Sequence, residues 1–460
     1  MELKDIKQVY FLGAGGIGMS ALVRYFLSEG KIVAGYDRTP SPLTEKLIEE
    51  GAQLHFEENI ELIPECCRQP EGTLVIYTPA IPADHKEWEL FRRGDFTVKK
   101  RAEVLGIITG DRRGVCAAGT HGKTTTSTMT AHLLHQSSVD CAAFLGGISK
   151  NYKSNLVLTD KSDLVVIEAD EYDRSFLHLK PYIATITSAD PDHLDIYGNK
   201  ENYLEAFAQF TERIREDGYL IMHEGLEVTP RTKPGVKCYI YGREKGDFHA
   251  ENIRIGGGTI IFDYVSPWQT IKDVELGVPV SINIDNGIAS MAMAELCGAT
   301  AEEIKEGMKS FAGADRRFDF HIKEESVVLL SDYAHHPDEV SACAKSIKEL
   351  YSDKKVTALF QPHLFSRTKD FYKEFAQSLS LFDEVILVDI YPARELPITG
   401  VTSKLIFDHL DNNIKKSMCS RSDVVKTIEE KKNEIEVLVS LGAGDIENEI
   451  PQLKEILTNR

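Results

Sequence analysis

The sequence lacks the marks of several protein classes. It has no basic excess: 72 Asp and Glu residues outweigh 53 Lys and Arg, for a formal net charge of −19. A nucleic-acid binder carries a basic patch or an alkaline isoelectric point, so no nucleic-acid partner is expected. It has no run of about 18 apolar residues, so no membrane span is expected. Its opening stretch, MELKDIKQVYFLGAGG, is charged and runs into a glycine loop rather than a cleavage site, unlike a signal peptide. It has no Cys-x-x-Cys pair. The eight cysteines (Cys66, Cys67, Cys116, Cys141, Cys238, Cys297, Cys343 and Cys419) are scattered, none at zinc-finger spacing to a His pair. In a chain of 460 residues they read as reduced thiols of a cytoplasmic protein. Repeats, low-complexity tracts and heptads are also missing.

What is present is an alternation of strand, loop and helix, started three times. That pattern predicts an α/β protein of parallel sheets covered by helices. The first run holds VYFLGAGGIGMSALVRYFLSEG, with a strand over Val9–Leu12 and helical spacing over Met19–Leu27. The second holds GVCAAGTHGKTTTSTMTAHLL, then strands in DLVVIEAD and YIATITSADPDHLD. Residues 236–283 are rich in Gly, Val, Ile and Thr and form a smaller β-rich portion. The third run holds VVLLSDYAHHP, KVTALFQPH, EVILVDIYP and EVLVSLGAGD. Boundaries near 107 and 313 give three domains: 1–107, 108–312 and 313–460. Polar residues recur at the carboxyl ends of strands in all three, where open α/β sheets bind ligands.

The most informative motif is Gly119-Thr120-His121-Gly122-Lys123-Thr124-Thr125-Thr126, after a strand and before a helix. Glycines let backbone N–H groups wrap a triphosphate, a lysine meets its outer phosphates, and the next hydroxyl ligates Mg²⁺. The strict phosphate-loop pattern asks for Gly at 117, where this chain has Ala117. Two acidic strand ends follow, Glu168-Ala169-Asp170-Glu171 and Asp190–His193. They suit Mg²⁺, which prefers oxygen ligands. Gly13-Ala14-Gly15-Gly16-Ile17-Gly18 with Asp37 fits the dinucleotide fingerprint. Chemically it says that a diphosphate approaches a helix N-terminus, which an NAD molecule or a UDP-sugar satisfies equally; a structural tight turn is the plainer alternative. Later come Arg316-Arg317, Asp332 through Pro337, and Gln361 through Thr368. Arg recognises phosphate or carboxylate with two bonds, and His orients or transfers protons.

These motifs, with Asn283-x-x-Asn286 and RRFDF, occur in the order typical of the Mur ligases, which the chain resembles over essentially its whole length. The resemblance implies an N-terminal Rossmann-like domain for a UDP-sugar, a central ATPase domain and a C-terminal Rossmann-like domain for an amino acid. GAGGIGMS and DIYPARE point to the member that adds the first residue. The implied reactants are UDP-N-acetylmuramate, L-alanine and ATP, with Mg²⁺ or Mn²⁺, in a monomer or weak homodimer. By resemblance, Gly119 through Thr125 hold ATP, and Thr124, Glu168 and His193 hold metal. Asn283 and Asn286 contact adenine. Arg316, Arg317 and Asp332 approach the nucleotide, and Lys123, Glu168, His193, Arg317, Asp332 and His335 take part in catalysis. His336, His363 and Arg367 face the amino acid or the muramate carboxylate. Gly13 through Gly18, Asp37 and Thr78-Pro79-Ala80 hold the UDP-sugar. Leu364 stands where some relatives carry Arg, and Glu201–Phe210 offers no lysine for carbamoylation. Three other readings stand beside this one: a muropeptide-recycling ligase that adds a tripeptide, an NAD(P)-dependent dehydrogenase, and a non-catalytic nucleotide-binding scaffold.

Overall fold

The computed structural model describes residues 3–78, 81–82, 84–191, 194–315, 317–393 and 395–459. Pro79, Ala80, His193 and Arg316 lie outside the described residues. The chain packs as two units. One comprises 1–251, 264–272 and 285–312, and the other 252–263, 273–284 and 313–460.

The first unit opens with five parallel strands: β1 (Gln8–Leu12), β2 (Ile32–Tyr36), β3 (Gln53–His55), β4 (Thr73–Tyr77) and β5 (Thr97–Lys100). Their order is β3-β2-β1-β4-β5, so the sheet is extended first to one side of β1 and then to the other, with the switch between β1 and β4. Gly13 and Thr78 follow these neighbouring strands at that switch point. β1 is buried along its length, as a parallel strand covered on both faces must be.

The next sheet has the order β12-β11-β10-β6-β9-β7-β8. Its strands are β6 (Arg113–Ala118), β7 (Ala142–Ser149), β8 (Ser154–Val157), β9 (Leu164–Ala169), β10 (Pro181–Ile186), β11 (Tyr219–His223) and β12 (Lys237–Tyr241). β6 lies between β10 and β9, so the loops after all three gather at one edge. The sheet departs from the all-parallel expectation at its edge, where β8 runs antiparallel to β7. The residue 107 boundary of the sequence reading falls inside a helix, Arg101–Asp111. The β-rich portion contributes β13 (His249–Gly256), β14 (Thr259–Val265) and β15 (Thr270–Glu275), in that order.

The second unit is built on β16 (Asp319–Lys323), β17 (Val328–Asp332), β18 (Val356–Phe360), β19 (Glu384–Leu387), β20 (Lys415–Met418) and β21 (Val437–Leu441). The order is β16-β17-β21-β18-β19-β20. Only the edge strand β16 is antiparallel to its neighbour. A core of Leu329, Leu359, Ile386 and Leu438 lies against helices bearing Ile428, Leu453 and Leu457.

Candidate active site

β6 feeds directly into a tight loop and then into the helix Lys123–His135. Gly119 and Gly122 turn the loop with φ of 142° and 82°, a region that favours glycine. A side chain at Gly122 would put its Cβ 2.6 Å from Asn286 Oδ1, and one at Gly119 would strike Thr187 Oγ1. Ala117 departs from the glycine pattern without consequence. It is still inside β6, paired with Glu168 on one side and Thr185 on the other, where any small residue fits.

The loop after β10 braces the phosphate loop. Thr187 N donates to Ala118 O at 2.9 Å, Thr187 Oγ1 donates to His121 O at 2.5 Å, and His121 N donates to Ser188 Oγ at 2.7 Å. Thr120 Oγ1 meets both Asp190 O at 2.7 Å and the Tyr203 hydroxyl at 2.8 Å. Thr187 and Ser188 were not evident as site residues in the sequence, because hydroxyl residues near strand ends are common in any loop, and Tyr203 lies within the helix Lys200–Glu212.

Lys123 folds back into its own loop. Its Nζ donates to Gly119 O at 2.6 Å and lies 2.7 Å from the buried carboxylate of Glu171. Burial pushes the Glu171 carboxyl above its usual range, while Lys123 pulls it down. Glu168, at the end of β9, is raised by burial as well, opposed by the Thr124 hydroxyl and the charge of Lys123. Its Oε2 is buried without a hydrogen-bond partner among the described residues. Gly146 makes room for this carboxylate, since a Cβ there would collide with it. Thr124 and Glu168 offer oxygen donors of the kind Mg²⁺ takes. Among the described residues, no three His, Cys, Asp or Glu side chains gather around a metal position.

Asn286 lies against the phosphate loop and its Oδ1 accepts from Thr126 Oγ1 at 3.3 Å. Asn283 belongs to the second unit, where its Nδ2 donates to Val278 O at 3.1 Å.

The glycine loop after β1 turns at Gly13, with φ of 90°. A Cβ there would meet the Thr78 methyl, so the two predicted residues do lie together. The amides of Gly13 and Ala14 donate to Tyr36 O at 2.8 and 3.1 Å. Asp37 turns inward: Oδ2 accepts from Gly15 N at 2.6 Å and Oδ1 from Thr39 N at 3.2 Å. Gly18 leaves space for the guanidinium of Arg101, which a side chain would displace. Arg101 was not singled out by the sequence, yet it stands beside both glycine loop and acidic strand end. The two meet at a cavity of about 110 Å³, lined by Gly18, Arg101, Gly146, Glu168 and Asp170 among others.

In the second unit, Asp332 ends β17 and accepts from the amides of Phe318 and Ala334 at 2.7 and 2.8 Å. Burial raises its pKa, against the pull of these amides and of Arg317. The Arg317 guanidinium lies over the Tyr333 ring, 5.6 Å from its centroid. His335 Nδ1 contacts Tyr333 O at 2.9 Å, and burial lowers its pKa. Its ring meets that of His363 edge-on at 6.0 Å, and Arg367 donates to His363 Nδ1 at 3.3 Å. His336 caps the helix Pro337–Leu350 and faces Phe371. The structure thus places His335 beside His363, and His363 beside Arg367. Leu364 adopts φ of 71°, a strained value for a leucine.

The Mur ligase middle domain model matches residues 117–294. The models of the Mur ligase family catalytic domain and of the Mur ligase glutamate ligase domain match 8–113 and 316–446. The chain belongs to the Mur ligase family. It is 63% identical to the UDP-N-acetylmuramate–L-alanine ligase of Phocaeicola vulgatus, over the whole of both chains. It is 48% identical to that of Flavobacterium johnsoniae, over 99% of each. The fold is that of the UDP-N-acetylmuramate–alanine ligase of Thermotoga maritima, with TM-score 0.79, 25% identity and 98% of each chain covered. A murein peptide ligase from Psychrobacter arcticus shares the fold at TM-score 0.65 and 21% identity, over 99% of each chain. Mur ligase domains thus run through an α/β chain of parallel, Rossmann-like sheets.

Proposed function

We propose that this chain joins L-alanine to the carboxylate of UDP-N-acetylmuramate, with cleavage of ATP, in the synthesis of peptidoglycan precursors. The observation that carries the reading is the cavity where the UDP-sugar loop, through Gly18, meets the phosphate-loop side of the molecule, through Glu168. An amide-forming ligase needs a sugar carboxylate and a triphosphate at one place. A dehydrogenase would leave Lys123, Thr124 and Glu168 without a task.

In this reading the sugar carboxylate attacks the γ-phosphorus of ATP, forming an acyl phosphate and releasing ADP. The alanine amine then attacks the acyl carbon, and phosphate leaves. Phosphoryl transfer asks for positioning and charge neutralisation more than for a nucleophile on the protein. Lys123 supplies charge on leaving the Glu171 carboxylate for the phosphates. Thr124 and Glu168 fit a magnesium ion, which when bound would neutralise triphosphate charge; His193 is assigned to a second metal by resemblance. Asn286 and Asn283 are assigned to adenine, and Gly13 through Gly18, Asp37 and Thr78 to the UDP-sugar.

In the second unit, Arg317 is assigned to the nucleotide, and His336, His363 and Arg367 to the amino acid or the muramate carboxylate. The alanine ammonium must lose a proton before it attacks. His335 suits this as a base: its lowered pKa keeps the imidazole neutral, and Nδ1 is engaged by a backbone carbonyl. Asp332 instead fixes the loop, since both of its oxygens accept backbone amides. The division into three domains at about 107 and 312 belongs to the same reading.

The test is product mass. UDP-N-acetylmuramate and Mg-ATP are incubated with a mixture of the twenty amino acids and L-Ala-D-Glu-diaminopimelate. The alanyl product is expected. A tripeptide adduct in its place makes the chain a recycling ligase, and no adduct with any acceptor defeats the ligase reading.

A further inference from the structure

Arg101 opens the helix Arg101–Asp111, directly after β5. Its guanidinium lies against Gly18, so closely that a methyl group on that glycine would overlap Nη1. On its other side is Asp170, whose Oδ2 is 3.8 Å from Nη2. Among the described residues, that is the single ion-pair contact of this side chain, and it is a long one. Arg101 is also the one cation among the residues lining the cavity, which include the acidic Glu168 and Asp170. Its charge is felt at Glu168, where it favours the ionised carboxylate.

The cavity is small and its walls are mixed. At about 110 Å³ it holds roughly four water volumes, room for a carboxylate-bearing side group but not for a nucleotide sugar. Leu105, Phe144, Leu145 and Ile167 supply apolar walls, which strengthen any charge interaction inside. In the ligase reading the reaction brings two anions together, a carboxylate and a triphosphate. A planar guanidinium offers two parallel N–H bonds to one carboxylate.

We propose that Arg101 binds the lactyl carboxylate of UDP-N-acetylmuramate and holds it toward the phosphate loop. This rests on the ligase reading above. Binding through two bonds fixes the direction of the attacking oxygen, and the positive charge offsets the repulsion between the reacting anions. Gly18 then also makes room for the guanidinium. Asp170 serves as the resting partner that the substrate carboxylate replaces.

Initial rates of the full-length protein test this. With Arg101→Ala, the KM for UDP-N-acetylmuramate should rise about 10- to 100-fold, the range of a charged hydrogen-bonded contact. The KM for ATP should stay within about twofold, because the triphosphate has its own loop. Arg101→Lys, which keeps the charge but not the fork, should fall between the two. The decisive readout is inhibition by UDP-N-acetylglucosamine, the same nucleotide sugar without the lactyl carboxylate. Its inhibition constant should be the same in wild type and both variants. If it weakens in parallel with substrate, Arg101 acts on the diphosphate or on the fold, and the proposal is overturned. Unchanged kinetics in Arg101→Ala overturn it as well. A wild-type chain that turns over no UDP-N-acetylmuramate would defeat the ligase reading, and this inference with it.

Discussion

The Glu171 carboxylate grips the Lys123 ammonium, with Nζ 2.7 Å from Oε2 and 2.9 Å from Oε1. Glu171 is 1% exposed, so the pair is held away from solvent screening. A triphosphate in the loop has to draw Lys123 off this partner. Glu171→Gln removes the ion pair and keeps the shape. The nucleotide-free variant should lose about 1–3 kcal/mol, since a buried charge is left short of its partner. Saturating nucleotide should recover much of that loss, because Lys123 then has phosphates to bind. Thermal unfolding with and without ADP checks this. An equal shift in both states would mean that Glu171 does not compete with the nucleotide.

Lys123 itself should matter to rate as well as to fold, since its loss leaves the buried Glu171 carboxylate without its cation. Lys123→Ala should lower turnover about 100-fold or more, roughly 3 kcal/mol of lost electrostatic stabilisation. Binding of the UDP-sugar should be nearly unchanged. Single-turnover kinetics and calorimetry separate the two. A variant with near-full turnover would take Lys123 out of the mechanism.

Gly122 should tolerate no side chain. Its φ of 82° costs an L-residue about 1–2 kcal/mol, and a Cβ would lie 2.6 Å from Asn286 Oδ1. Gly122→Ala should therefore unfold at lower denaturant and raise the KM for ATP, while the KM for the sugar stays put. Equal stability in the two chains would contradict the strain argument.

A pH dependence follows from His132, which is buried on the helix Lys123–His135. Its Nδ1 meets the Tyr152 hydroxyl at 2.9 Å and its Nε2 meets Ser310 Oγ at 3.0 Å. Burial, helped by the charge of His135, lowers its pKa from 6.5 to about 4. Between these values the unfolded chain binds the proton and the folded chain does not. Stability is therefore whole above about pH 6.5 and falls as the pH drops toward 4. The loss should be on the order of 3 kcal/mol, and His132→Gln should flatten that slope. Unfolding free energies measured from pH 7.5 down to pH 4, bracketing these two values, check it.

The phosphate loop was legible because its chemistry demands residues that nothing else explains: glycines at left-handed turns and a lysine opening a helix. The failed match at Ala117 was harmless because a strand, not a turn, occupies that position. The parallel sheets were legible from apolar runs that end in polar residues. The antiparallel edges β8 and β16 were not, since a short strand carries no mark of its direction. Glu171 was visible only as one carboxylate in an acidic cluster. Which of Glu168, Asp170 and Glu171 faces the lysine depends on how the chain turns after β9. There Asp173 and Arg174 both take positive φ, which local sequence did not announce. Arg101 was invisible for a different reason. Its value comes from standing against Gly18 and near Asp170, contacts made across the first unit.

The most direct measurement uses UDP-N-acetylmuramate labelled with ¹⁸O in both oxygens of its lactyl carboxylate. It is incubated with Mg-ATP, with and without L-alanine, and the released phosphate is analysed by mass. The account predicts sustained phosphate release that needs both the sugar and alanine, with one ¹⁸O in each phosphate released. Unlabelled phosphate, or release that ignores either partner, would contradict an amide ligase working through an acyl phosphate.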